Sequence, residues 1–253
     1  MRCQTRGVSG AWRIEERREP AGELHGSWPS ITSSPGVRAV AVCHPSRPAL
    51  VLGSTQSSAV VDEVASSAAG LDVVRRRSGG GAVLVTPDDP VWIDVWVPAG
   101  DPLWESDVTM AFHWLGVAWG AALEGMGVAG VEVQFGPGSP NEWSSLVCFG
   151  GVGAGEVTAG GRKVVGLSQR RNRSGSWFSG ACVLRWDPML LLDVVNIAEE
   201  DRGSAYRWLS GAVAGVADVM AATGSSHLTA DSATAASGTA ADVTAAFIDV
   251  LPL

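Results

Sequence analysis

One lysine stands among the 18 basic residues of this 253-residue sequence, and it is Lys163. Every other cation is written as arginine, which pairs and solvates well but is planar and permanently charged. Lysine offers a compact ammonium with three rotatable donors and a proton that can be lost. A position that keeps lysine against such a bias reads as one whose task a guanidinium cannot perform; the plain alternative is that a biased composition leaves an occasional lysine by chance. The surroundings, Gly153-Ala-Gly-Glu-Val-Thr-Ala-Gly-Gly161-Arg-Lys163-Val-Val-Gly166-Leu-Ser-Gln169, read as two short strands about a Gly160-Gly161 turn. Glycines there permit positive φ and a close approach of backbone to a ligand. The segment is not a phosphate P-loop, which needs Gly directly before the lysine and Ser or Thr directly after it.

A second charged glycine cluster lies at residues 71–85, where an apolar strand runs into Arg75-Arg76-Arg77-Ser78-Gly79-Gly80-Gly81 and a second strand leaves. Successive glycine N–H groups can form an anion nest or let an acyl chain lie against bare backbone, while Arg76 or a neighbour supplies paired donors to an anion. An ordinary glycine-rich hairpin with solvated arginines is the alternative reading.

Four cysteines (Cys3, Cys43, Cys148, Cys182) are widely spaced and fit neither a disulfide framework nor a zinc site. Cys43 and Cys182 sit in apolar, strand-like contexts and read as buried thiols. Cys148, between Val147 and Phe149, has a context that a buried strand cysteine would share. The four histidines have no metal-ligand spacing, and no metal site is expected. A formal charge of -8 and a pI near 5.0 exclude general nucleic-acid binding. The most apolar stretch, 110–135, is broken by His113, Glu124 and glycines, so it reads as a core helix and not a membrane span. The first ten residues lack the apolar centre of a secretory signal, so a cytoplasmic protein is expected.

Strands are expected at 37–43, 49–53, 91–97, 131–135, 146–149, 163–168 and 177–185, with Trp92 and Trp96 on one face of the third and Ile93, Val95 and Val97 on the other. Helices are expected from Ser57 to Gly70, from 106 to 125, after Asp187-Pro188, from 204 to 222 and from 240 to 251. Residues 1–35 show no strong periodicity, and 223–239, rich in Ser, Thr, Ala and Gly, read as a flexible loop. The expected fold is α+β, one catalytic domain over 36–253 with a mixed, largely antiparallel sheet flanked by helices.

Together the two glycine clusters resemble the lipoate-protein ligase and octanoyltransferase superfamily, whose catalytic fold is shared with biotin-protein ligases. The residues that carry the resemblance are Arg76-x-Ser78-Gly79-Gly80-Gly81-Ala82-Val83 and, about eighty residues on, Gly161-Arg162-Lys163-Val164-Val165-Gly166-x-x-Gln169. The resemblance implies that Ser78–Gly81 packs against a lipoyl or octanoyl chain and that Lys163 reaches the acyl carbonyl and an adjoining phosphate, where an ammonium stabilises developing negative charge. It implies two chemistries. In the leading one, ATP with magnesium forms an acyl-adenylate of lipoate or octanoate, which then acylates a carrier lysine. In the other, octanoyl moves between carrier proteins through a cysteine thioester; Cys148-Phe149, with Glu156 eight residues after the cysteine, fits that spacing. A non-catalytic acyl- or nucleotide-binding homologue is a third possibility. The implied partner is the lipoyl domain of a 2-oxo-acid dehydrogenase or the glycine-cleavage carrier. The sequence departs from the family where His-Asp would follow the glycine loop (Val85-Thr86), where His-Gly would follow the lysine strand (Ser179-Gly180) and where Asn-Asp would precede it (Gly155-Glu156).

Overall fold

A computed structural model of the chain describes residues 4–9, 12–27, 36–224 and 238–253. The N-terminal segment, in which the sequence reading places no element, contributes β1 (Gln4–Ser9), β2 (Trp12–Glu19) and α1 (Ala21–Gly26). The signal was available in the alternation of Trp12 and Ile14 with Arg13 and Glu15, and Trp12 is only 1% exposed. β3 (Arg38–Pro45) and β4 (Ala49–Leu52) follow, then a 3-10 turn, α2 (Glu63–Ala68), β5 (Asp72–Arg75), β6 (Val83–Val85) and β7 (Val91–Pro98). After α3 (His113–Gly125) come β8 (Val131–Val133), β9 (Val157–Ala159), β10 (Arg162–Asn172) and β11 (Gly175–Cys182). The chain ends in α4 (Met189–Asp193), α5 (Glu199–Ala212), α6 (Val216–Gly224) and α7 (Ala240–Asp249).

Eight strands form one sheet in the order β1-β2-β3-β7-β11-β10-β9-β8, antiparallel except for β2 with β3. A second sheet, β5-β4-β6, has one parallel and one antiparallel pair. This is the expected mixed, largely antiparallel α+β arrangement. Alternation along β7 divides the core as its sequence predicts. Ile93, Val95 and Val97 pack with Leu115, Trp119 and Phe247 of α3 and α7, while Trp92 packs with Ala41, Cys43 and Leu24 under α1 and the small sheet.

Four expectations are corrected. The helix from Ser57 is two pieces, a 3-10 turn at Ser58–Val60 and α2, because Asp62 accepts from Ala65 N and restarts the helix. Val61 bridges Val195 instead, and Val64 is left 82% exposed. The helix placed at 106–125 begins at His113 after a 3-10 turn over Met110–Phe112. Residues 146–149 are not a strand: Val147 makes an isolated bridge to Ala82, and Cys148–Gly150 form a 3-10 turn. The helix placed at 204–222 is interrupted between α5 and α6, where Val213 bridges Lys163 and Ala214 N donates to Lys163 O. There Gly215 runs so close to Leu184 and Arg185 that a β-carbon would collide with their backbone. The flexible loop expected at 223–239 falls mostly on residues 225–237, which lie outside the described residues.

Candidate active site

The Gly160-Gly161 turn forms as its sequence demands, with φ of +56° and +74°, and returns the chain from β9 into β10. The pairing of β9 with β10 then slips: Lys163 faces Thr158, yet Val165 faces Val157. This one-residue bulge breaks the strict alternation of β10. Val164 and Val165 both enter the core beneath α3, and Lys163 is turned onto the opposite face beside Gly166. There Gly166 leaves room for Lys163 Cε and the Phe149 ring, each within 3.5 Å of where a β-carbon would stand.

Lys163 is 1% exposed, and all three of its N–H donors are engaged. Nζ lies 2.6 Å from Glu156 Oε2, 3.0 Å from Cys148 O and 2.9 Å from Gly151 O, with the Phe149 ring centroid at 5.0 Å. Glu156 is itself held by Gly153 N on Oε2 and by Leu167 N on Oε1. The ammonium therefore fastens the turn carrying Cys148 to β10.

The glycine loop is stitched to the same turn. Ala82 N donates to Leu146 O and Cys148 N to Ala82 O, each at 2.8 Å, and a β-carbon on Gly81 would strike the Val147 backbone. Gly80, at φ +99°, passes so near Gly53 that a β-carbon on Gly53 would collide with the Gly80 carbonyl. Gly79 is exposed, with open space at its Cβ position. Ser78 donates to Ser168 Oγ at 3.0 Å. Arg76 does not wait for an anion: its guanidinium donates to Gly79 O, Gly81 O and Val51 O and sets the loop's shape. Arg75 is likewise spent on Gly53 O and Gln56 O, which leaves exposed Arg77 beside the pocket described next.

Two adjoining spaces lie over this face of the sheet. The first is apolar and is walled chiefly by Cys148, Phe149, Val83, Val85, Trp92 and Gly166. The second holds Ser78, Asp94, Ser168, Ser179 and Arg77; His25, Ser168 and Ser179 border both. Cys148 is partly exposed on the first wall, whereas Cys43 and Cys182 are buried, and burial pushes both of their thiols up. Of the expected residues, the fold brings together Cys148, Lys163, Arg76, Ser78, Gly80, Gly81 and Gly166. Gly161 stays at the exposed turn, whereas Gln169, opposite Phe178 in the β10–β11 pair, lines the second space with its amide atoms buried and without a hydrogen-bond partner.

Sequence reasoning missed His25, Trp92, Asp94, Ser168 and Ser179 as site residues. Asp94 carried a readable signal, a carboxylate at the centre of the apolar run Val91–Val97. Burial raises it to about 6, although Ser179 and Trp92 hydrogen bonds oppose the rise. His25 is pushed down to about 3, chiefly by burial and then by the charges of Arg76 and Arg17. Among the described residues no group of three or more His, Cys, Asp or Glu side chains could hold a metal ion, and no helix is long and apolar enough to cross a membrane.

Comparison with known proteins agrees with this arrangement. Octanoyltransferase LipM of Moorella thermoacetica is 33% identical over 157 residues, which is 61% of this chain and 56% of that protein, so the chain matches little more than half of that relative's length. A bipartite lipoate protein ligase from Thermoplasma acidophilum, studied with its E2 lipoyl domain, superposes with a TM-score of 0.64 at 17% identity over 96% of this chain and 82% of that one. A lipoate-protein ligase A bound with ATP superposes with a TM-score of 0.62 at 18% identity, covering 96% and 84%. Residues 33–235 match the model of the lipoyl protein ligase A/B catalytic domain, and the chain belongs to that family.

Proposed function

We propose that this chain is an enzyme that transfers an octanoyl or lipoyl group to a lysine of a carrier protein, and that the acyl group passes through a thioester on Cys148. One observation carries the reading: the partly exposed thiol of Cys148 opens onto an apolar cavity, on a turn held by Ala82 from one side and Lys163 from the other. A medium acyl chain suits that cavity, since most of its lining (Val83, Val85, Trp92, Phe149, Leu167 and Ala181 among it) is apolar, with Ser168 and Ser179 at one border. The Moorella relative is an octanoyltransferase, which points the same way.

In the first step the Cys148 thiolate attacks the thioester carbonyl of an acylated carrier. A new S–C bond forms, the carrier's S–C bond breaks, and the departing thiolate takes a proton. In the second, the neutral amine of the acceptor lysine attacks the Cys148 thioester; the amide bond forms, the Cys148 S–C bond breaks, and the proton lost by nitrogen balances the returning thiol. Lys163 serves by holding the Cys148 carbonyl and the Gly151 carbonyl, which fixes the nucleophile's backbone. The acceptor would be the lipoyl domain of a 2-oxo-acid dehydrogenase or the glycine-cleavage carrier, met in the cytoplasm.

The ATP-dependent reading, with an acyl-adenylate formed from Mg-ATP, is favoured by the Ser78-Gly79-Gly80-Gly81-Ala82-Val83 loop. It requires Lys163 to leave three acceptors for a phosphate and a carbonyl. Intact mass after incubation with octanoyl carrier separates the two. A thioester adduct that disappears in Cys148→Ala supports the first reading; no adduct, together with lipoate-dependent exchange of pyrophosphate into ATP, replaces it with the second.

A further inference from the structure

The floor of the cavity is a strip of sheet whose chemistry changes along its length. Antiparallel pairing aligns Trp92, Ala181 and Gly166 in one row across β7, β11 and β10. Two residues along, Asp94, Ser179 and Ser168 form the next row, and Trp96, Trp177 and Arg170 the one after. Partners across a strand pair share a face, and a period of two keeps all three rows on it, about 7 Å apart. The first row lies in the apolar space with Cys148; the second borders the polar space, and Trp177 closes its far side. Because His25, Ser168 and Ser179 border both, the two spaces adjoin, and an acyl chain bound beside the thiol would take them as one channel, apolar first and polar beyond.

Asp94 is 2% exposed at the start of the polar stretch. Trp92 Nε1 donates to its Oδ1 at 2.7 Å, the Cys43 thiol lies 3.8 Å from Oδ2, and Ser179 donates as well. A carboxylate has about four acceptor positions, so further donors can be received from the channel. Above it stands His25, its ring 4.2 Å from that of Trp92 and uncharged at neutral pH. A methyl-ended chain reaching this row would displace water from a carboxylate and two hydroxyls without replacing any hydrogen bond.

We propose that this distal row is a specificity site in which Asp94, Ser168 and Ser179 select acyl chains whose far end donates hydrogen bonds, as a hydroxyl or carboxamide does, over plain octanoyl. The inference rests on the channel being the acyl site of the transfer reaction. Its test is equilibrium binding of octanoate, 8-hydroxyoctanoate and octanedioate to the whole chain by titration calorimetry, which involves no chemistry at Cys148. The hydroxy acid is expected to bind about tenfold more tightly than octanoate, and Asp94→Leu to reverse the order. Should Asp94→Leu fail to fold by circular dichroism, Ser179→Ala is expected to reduce the preference several-fold on the same scale. Octanoate binding as tightly as the hydroxy acid overturns the inference. So does tightest binding of octanedioate, which would assign the far end to Arg77 and Arg170. Hydroxyl preference without a Cys148 adduct sinks only the thioester reading; an octanoyl adduct without hydroxyl preference sinks only the specificity site.

Discussion

Lys163 Nζ and Glu156 Oε2 are 2.6 Å apart and both nearly sealed from water; Lys163 also holds the Cys148 and Gly151 carbonyls, while Glu156 accepts from Gly153 N and Leu167 N. Breaking a buried pair from one side strands the other charge at a cost of about 3–5 kcal/mol. Lys163→Met is therefore expected to lose about that much stability in urea unfolding, and Glu156→Gln a comparable amount. The double variant Lys163→Met, Glu156→Gln strands no charge and should lose at least about 1 kcal/mol less than the sum of the singles. Strictly additive losses would show that the pair does not act as a unit.

Cys148 differs from the two buried cysteines in access. Iodoacetamide on the native protein, read by peptide mapping, is expected to alkylate Cys148 at least about tenfold faster than Cys43 or Cys182, because alkylation needs an accessible thiolate. Cys148 is partly buried against the core around Val147 and Phe149, so Cys148→Ala should cost about 1 kcal/mol, the usual size for a point substitution, while the acyl adduct vanishes. Equal labelling of all three would remove the argument for Cys148 as the nucleophile.

The parts of this site legible in sequence are those set by local rules. The Gly160-Gly161 turn, the alternation of β7 and the isolation of Lys163 were readable because a turn type, a period and a residue bias each leave a local mark. What escaped depends on pairing between distant segments. Nothing near Lys163 announces the bulge that turns it toward Gly166, since a bulge is a property of two strands. The carbonyls that hold the Arg76 guanidinium were illegible for the same reason, since they include Val51, 25 residues earlier. Asp94, Ser168 and Ser179 become one row only after β7, β11 and β10 are aligned.

The three glycines of the 79–81 loop are not equivalent. Gly81→Ala must push its methyl into the Val147 backbone and so open the Ala82–Leu146 and Cys148–Ala82 hydrogen bonds. A loss of about 1–3 kcal/mol is expected, with acyl transfer down about a hundredfold, because a shift of about 1 Å at a reacting group costs that much. Gly79→Ala, whose methyl meets nothing within 4 Å and whose φ is not positive, should stay within about 0.5 kcal/mol of wild type with transfer retained. A Gly79→Ala variant as inactive as Gly81→Ala would mean that the loop moves during turnover.

Asp94 and His25 give opposite pH dependences over one window. Burial raises Asp94 from 3.8 to about 6, so the folded state binds the proton more tightly than the unfolded one, and Asp94 lowers stability as pH rises from about 4 to 6. Burial lowers His25 from 6.5 to about 3, so the unfolded state takes up the proton first, and His25 raises stability as pH climbs from 3 to 6.5. The two slopes largely cancel in the wild type between pH 4 and 6. Asp94→Asn removes the falling slope, so its stability relative to wild type should improve by about 2 kcal/mol between pH 4 and 7. His25→Gln removes the rising slope and should do the reverse, gaining on wild type as the solution is acidified. Urea unfolding of the three proteins at pH 4, 5, 6 and 7 measures both; parallel stability curves would mean that neither group is held in its shifted state by the fold.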